Sequence, residues 1–271
     1  MATNNFKPTY WSNYCQTELH KELLLANWCD YQFEGEIQYG ARLTIVGATR
    51  PTIQKYVPGT DLNIERLENT AQYLDITEAD AFAFDVDDVD RAQSKPGFLE
   101  TQFDEAKYAL AESADAFVGK KAADADEGMI SAVVDLATAT SFLKSIDDAH
   151  VKLYSNNVSN KTELAAELTP VHIVGLRKEL AELFTNNDEF VKRGAMGKYG
   201  NTYLRMSNNL YNDGTNTYEM VRTKKAIAFA GQIDKIETAR KEKGFADIIK
   251  GLHLYGAKVV RPKELYVIKV K

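Results

Sequence analysis

The pattern of apolar and polar positions changes period several times along this chain, and its longest helical stretch runs from Phe98 to Lys121. Leu99, Phe103, Ala106, Leu110, Ala114 and Phe117 recur at steps of three and four, which places them on one face of an α-helix. Glu100, Asp104, Glu105, Lys107, Glu112 and Asp115 fill the other side. Pro96-Gly97 forces a fresh start, and Gly119 followed by Lys120-Lys121 suits a C-terminal end. The apolar stripe is narrow and built largely from alanine. The pattern therefore predicts a long spine helix, 98–121, laid along a thin sheet rather than sunk in a thick core.

Ahead of the spine the period is two. Ile37, Tyr39, Ala41, Leu43 and Ile45 alternate with Glu36, Gln38, Gly40, Arg42 and Thr44, a strand signature. A second extended segment covers Asn69 to Ile76, with a tip between Ala48 and Leu62 interrupted by Pro51, Pro58 and Gly59. An isolated hairpin is marginal in water, so this excursion needs a partner surface, its own domain or, as we favour, a neighbouring molecule. Ala79 to Val86 reads as a strand covered on both faces. Residues 1–35 are crowded with rings: Phe6, Tyr10, Trp11, Tyr14, Trp28, Tyr31 and Phe33 surround a possible helical face at Leu19, Leu23 and Ala26. Two readings stand side by side, a terminal helix packed on its own domain or an arm whose aromatics dock on a neighbour.

Beyond the polar break at Asp124–Gly128 a second unit begins. Ile130, Val133, Val134 and Ala137 open a helix; His172, Ile173 and Val174 after Thr169-Pro170 suggest a short buried strand; Leu176, Leu180, Leu183 and Phe184 read as a helix ending near Asn186-Asn187. Gly194, Gly197 and Gly200 precede strand-like residues up to Leu210, and Asn212-Asp213-Gly214 supplies turn chemistry before a strand from Tyr218 to Phe229. Ile233 to Lys243 reads as helical with Gly244 as breaker. Phe245, Ile248 and Ile249 give a further turn or two, stopping at Gly251. Leu252–Val260 and Leu265–Val270 are strands. The layout is α+β, with a central insertion between two halves of a sheet-and-spine unit.

Composition narrows the function. The 271 residues are 44% hydrophobic and 27% charged, as in an ordinary globular protein, while a net charge of −6 argues against affinity built on neutralising phosphates. No apolar run approaches a membrane span, and no signal-peptide pattern opens the chain. Cys15 and Cys29 are too far apart for a CxxC pair, and a reduced cytoplasm is the expected site of synthesis. Asp85, Asp87, Asp88 and Asp90 lack the Gly and Glu of a calcium loop, since Asp90 and Pro96 stand at those places. His20, His150, His172 and His253 have no zinc spacing. Gly251 and Gly256 have a phosphate-loop separation, but Ala257 replaces its lysine and the element order is reversed. Gly194–Lys198 lacks the spacing too, and there is neither GxSxG nor a Cys–His motif. Nothing here supports catalysis, a metal or a cofactor.

Several stretches resemble the major capsid proteins of tailed bacteriophages, the Hong Kong-97-type fold. Thr70–Ile76 through Ala81–Gln93 is similar to the segment leading into that family's spine helix. Gly197-Lys-Tyr-Gly200 with Ser207-Asn-Asn-Leu210 resembles the glycine-punctuated run late in its axial domain. Phe245–Gly251 followed by Leu254–Pro262 resembles its closing elements. The resemblance implies an N-terminal arm (1–35), an extended β-hairpin loop (36–74), a peripheral domain (75–127 with 223–271) and an inserted axial domain (128–222). It implies a virion protein, made and assembled in the host bacterial cytoplasm, whose copies form the pentamers and hexamers of an icosahedral head around packaged double-stranded DNA, without sequence specificity. Arm and loop would lie across adjacent subunits, with Tyr10, Trp11, Tyr14, Trp28, Arg50, Lys55, Tyr56, Pro58 and Gly59 as the candidate contacts. Some relatives carry an N-terminal scaffolding segment. This chain has no room for one, so a separate scaffold protein is expected, with a portal and decoration proteins as further partners. Others join a loop lysine to a distant asparagine; Lys55 lies in that region, without a recognisable activating carboxylate. The competing expectations are an encapsulin-like compartment shell and a soluble α+β enzyme.

Overall fold

The computed structural model describes residues 23–32, 42–47, 53–55, 70–87, 98–136, 141–182, 197–242 and 244–271. The spine helix forms as its pattern requires: α1 spans Phe98–Lys120. Ahead of it, β1 (Arg42–Gly47) and β2 (Thr70–Asp75) pair antiparallel with Arg42 opposite Asp75 and Gly47 opposite Thr70. The third strand, β3 (Glu78–Asp87), covers the segment read as a strand. It lies at one edge of a three-stranded antiparallel sheet ordered β3-β9-β8, whose long hairpin is β8 (Ile227–Arg240) and β9 (Ala246–Val259). Leu110, Ala111, Ala114 and Val118 of α1 share one buried core with Phe229, Ile236, Ile249, Tyr255 and Ala257 of that sheet. Thus the alanine-rich stripe packs on that sheet.

A second sheet is mixed, ordered β10-β7-β4-β6-β5. Its strands are β4 (Leu164–Leu168), β5 (Lys198–Tyr199), β6 (Thr202–Met206), β7 (Thr217–Thr223) and β10 (Leu265–Val270). Helices α2 (Leu143–Ser155) and α3 (Pro170–Glu182) cover it, burying Ile146, Leu153, Ile173 and Leu176 against Leu164, Leu204, Val221 and Ile268. The C-terminal strand therefore completes the sheet built mainly from the insertion, although in sequence it belongs with the segment that returns to the spine.

Several sequence expectations are corrected. Residues 233–240 are strand, not helix: Lys235 to Arg240 pair in register with Leu252 to Asp247. Ala246–Gly251, expected as helical turns, continues that ladder between β3 and β8. A Cβ at Gly251 would run into the Phe82 ring, so the glycine serves strand packing rather than a stop. His172–Val174 is helical: Pro170 occupies the first turn of α3, and the Thr169 hydroxyl accepts the His172 N–H at 3.4 Å. The opening at Ile130 and Val134 is extended, its backbone bonded to Val267, Lys269 and Lys271 beside β10. The single strand expected from Tyr218 to Phe229 is also two, broken by a turn in which Ala226 N–H donates to Thr223. Asp115 and Lys107, placed on the polar side of the spine, are both buried.

Candidate assembly surfaces

The root of the N-terminal segment is built from charge. Asp115, on the spine one turn after Ala111, accepts the backbone N–H of Leu24 at 2.8 Å and of Ala26 at 2.9 Å. Burial pushes the Asp115 carboxyl above its usual range, against the pull of those N–H groups. Strand pairing sets Arg205 of β6 opposite Glu167 of β4, with Arg222 on the neighbouring strand β7. Arg222 grips Glu167 through two bonds, 2.9 and 2.6 Å, and neither side chain touches solvent. Its remaining donors reach the carbonyls of Leu25 (2.7 Å) and Trp28 (2.5 Å), while Arg205 donates to that of Leu24 (2.9 Å). Burial alone would lower the Arg222 pKa, but the charge and bonds of Glu167 hold it above normal. Cys29, wholly buried beside this group, has its thiol pushed up to about 11, chiefly by desolvation. Three elements that are distant in sequence therefore clamp residues 24–28 through their main chain.

Trp28 is the one arm candidate among the described residues. Its ring meets Tyr203 edge-on at 5.5 Å and lies under the Arg205 guanidinium at 5.5 Å. It packs on its own chain. Tyr10, Trp11 and Tyr14 lie outside the described residues, as do Arg50, Tyr56, Pro58 and Gly59. Lys55 is described and exposed, beside Ile53, whose side chain is 87% exposed.

The hairpin is held differently. Ile45 and Leu74 join Ile76, Ala228, Ala230 and Leu254 in a small apolar cluster, which seats the base of the hairpin on β8 and β9. Lys258 donates to the Tyr73 carbonyl at 2.8 Å, and the exposed Arg42–Asp75 pair (2.7 Å) straps the strand ends. Gly256 permits the approach: a Cβ there would stand 2.5 Å from the Asp75 carbonyl oxygen.

Other exposed apolar side chains mark further faces. Val171 and Val174, with Phe142 and Pro170, line a shallow groove on α3. Beneath it Ser145, His172 and Glu219 line up, with His172 Nδ1 2.5 Å from Glu219 and its Nε2 3.1 Å from Ser145. The order resembles a nucleophile triad, yet all three are buried and the Ser145 hydroxyl donates to the Phe142 carbonyl. The network ties α3 to β7. Among the described residues no group of three or more His, Cys, Asp or Glu side chains could hold a metal, and no helix is long and apolar enough to cross a membrane. Asp85, from the acidic run, pairs with Lys241 instead.

Sequence reasoning found the hairpin and missed the clamp. The only signal for Arg222 was a charged residue following Met220-Val221 in a strand, and its partners lie 55 and nearly 200 positions away.

No family model and no curated protein matches the sequence. Solved structures do match. A structure from Mycobacterium phage Che8 superposes with a TM-score of 0.69 at 25% identity, covering 91% of this chain and 90% of that one. The capsid of cyanophage P-SCSP1u gives 0.67 at 16% identity over 88% and 85% of the two chains. The SrpI encapsulin complex from Synechococcus elongatus shares the fold at 0.54 and 11% identity, over 74% and 75%. The architecture is that of a shell-building protein of mixed α+β type. More narrowly, the chain has the fold of the tailed-phage major capsid proteins, the Hong Kong-97 type.

Proposed function

We propose that this chain is the major capsid protein of a tailed phage, self-assembling into the icosahedral head that encloses the double-stranded DNA genome. The observation that carries this reading is the near end-to-end match with the phage Che8 structure. In this reading residues 1–35 form the arm, 36–74 the extended loop, 75–127 with 223–271 the peripheral domain, and 128–222 the axial domain. Because β10 pairs with β7, the closing strand couples the last two. Arm and loop cross to adjacent copies of the hexamers and pentamers. Scaffold, portal and decoration proteins act as separate partners, and assembly takes place in the host cytoplasm. The role is structural rather than enzymatic.

One feature supports the assignment of the loop and another that of the arm. Its base is fixed while Ile53 and Lys55 extend into solvent, and an exposed isoleucine at such a tip suits burial on a neighbour. The clamp at 24–28 fixes where the arm leaves its own subunit. The shared fold of an encapsulin sustains a second reading, a compartment shell holding protein cargo. Electron microscopy and nucleic-acid assay of particles from infected cells separate the two: DNA-filled heads with a tail vertex support the phage shell, and DNA-free particles packed with one enzyme support the compartment.

A further inference from the structure

A cleft of about 380 Å³ opens between the Trp28 ring, the Asn157–Glu163 connection, the turn at Lys224-Lys225 and Arg261. Its wall is unusual in this acidic chain. Lys224 and Lys225 are exposed and make no hydrogen bond or ion pair among the described residues. The Trp28 indole Nε1 is buried and has no acceptor among them. Ser159 and Thr162 add hydroxyls to the lining. Two carboxylates also line the cleft, and both already accept from neighbours, Glu264 from Thr223 and Arg261 of the same wall. Glu264 accepts from the Thr223 hydroxyl at 2.6 Å and from Arg261 at 2.9 Å; Glu163 accepts from the Tyr203 hydroxyl at 2.8 Å and pairs with Lys198 at 3.5 Å. What remains unmatched among the described residues is two exposed ammonium groups on the wall and, in a residue that lines it, a buried indole N–H.

We propose that this cleft binds a phosphate group. A tetrahedral oxyanion offers several acceptor oxygens to donors arriving from different directions, and charge-assisted bonds from both lysines would hold it. The group could be free phosphate or a phosphate of the DNA backbone; the chemistry of recognition is the same. Trp28 links the site to the clamp, since the residue whose ring walls the cleft is held through its carbonyl by Arg222.

The test is isothermal titration of inorganic phosphate into the purified chain at fixed ionic strength, with chloride as the control anion. Saturable binding is expected. Lys224→Ala with Lys225→Ala should weaken it at least about tenfold, Lys224→Arg with Lys225→Arg should retain it, and Trp28→Phe should weaken it severalfold while keeping the ring. Thermal unfolding of each variant checks that the fold is unchanged. A DNA oligonucleotide provides the second arm: binding that phosphate displaces assigns the site to backbone phosphate, and phosphate binding without oligonucleotide binding assigns it to the free ion. Heats equal to those of chloride, or an alanine pair that binds as the native chain does, overturn the proposal.

Discussion

The root of the N-terminal segment and the β1–β2 hairpin both stand at the margin of the packed body, and they are secured by opposite means. The root buries almost no regular structure, only a three-residue turn at Ala26–Trp28, yet its main chain is held by Asp115, Arg205 and Arg222 from three separate elements. The hairpin has a regular six-pair ladder but rests on a handful of aliphatic side chains at one end. Directional bonds to backbone fix a position closely. A small apolar contact fixes where a strand starts and leaves its far end to find other surfaces. The contrast suits the shell subunit proposed above, in which the arm would leave from a set point and the loop would reach a neighbour.

Breaking the clamp should have the largest effect. Arg222→Ala strands the Glu167 carboxylate in the interior and takes the donor from the Trp28 carbonyl, at an expected cost of about 3–5 kcal/mol by chemical denaturation. A loss below about 1 kcal/mol would show that the root is held by packing alone. Gly256→Ala comes next. It pushes a methyl onto the Asp75 carbonyl and should cost about 1–3 kcal/mol, with hydrogen exchange rising in β1 and β2 before the three-stranded sheet. Deleting Thr49 to Thr60 should change subunit stability by no more than about 0.5 kcal/mol and yet prevent stable shells. Normal particles from that deletion would remove the loop from the intersubunit contacts.

The smallest effect is a pH response that touches neither margin. Burial alone would push the His172 pKa down, but the bond and charge of Glu219 outweigh it and hold the imidazolium above its usual range. A folded-state pKa above the unfolded value of about 6.5 gives stability that is complete below that pH. It is lost as pH rises through the raised value. His150 runs the other way, because burial lowers its pKa; its contribution is complete above about 6.5 and is lost as pH falls through the lowered value. His172→Gln should therefore remove the alkaline loss and leave the acidic one, read from unfolding midpoints between pH 5 and 9 on the order of the unfolded pKa. Protection at Leu24 and Ala26 should stay constant across neutral pH, since the clamp does not depend on either histidine.

How much of this was legible in the sequence follows from the range of each interaction. The spine, β3, the hairpin strands and the part of β9 from Leu252 were readable because their own periodicity defines them. Ile233 to Lys243 misled because Ile233, Ile236 and a run of Glu, Lys, Ala and Arg imitate an amphipathic helix. Pairing of thirteen β8 residues with β9 overrides that local preference. His172–Val174 misled because its apolar, partly β-branched residues were given more weight than the Thr-Pro start of α3, which is the better signal. The clamp was beyond reach of any local pattern. Asp115 sits beside an alanine stripe that looks complete without it, and Arg222 acquires meaning only when residues 25–28 are folded back against β7.

Cryo-electron microscopy of the purified, assembled chain tests the central claim most directly. Closed icosahedral particles should form, with the 48–69 loop of each subunit seated on the adjacent copy and residues 24–28 still bonded to Asp115 and Arg222 of their own. A population of lone subunits at concentrations where shells should close, with that loop folded against its own body, would contradict the account.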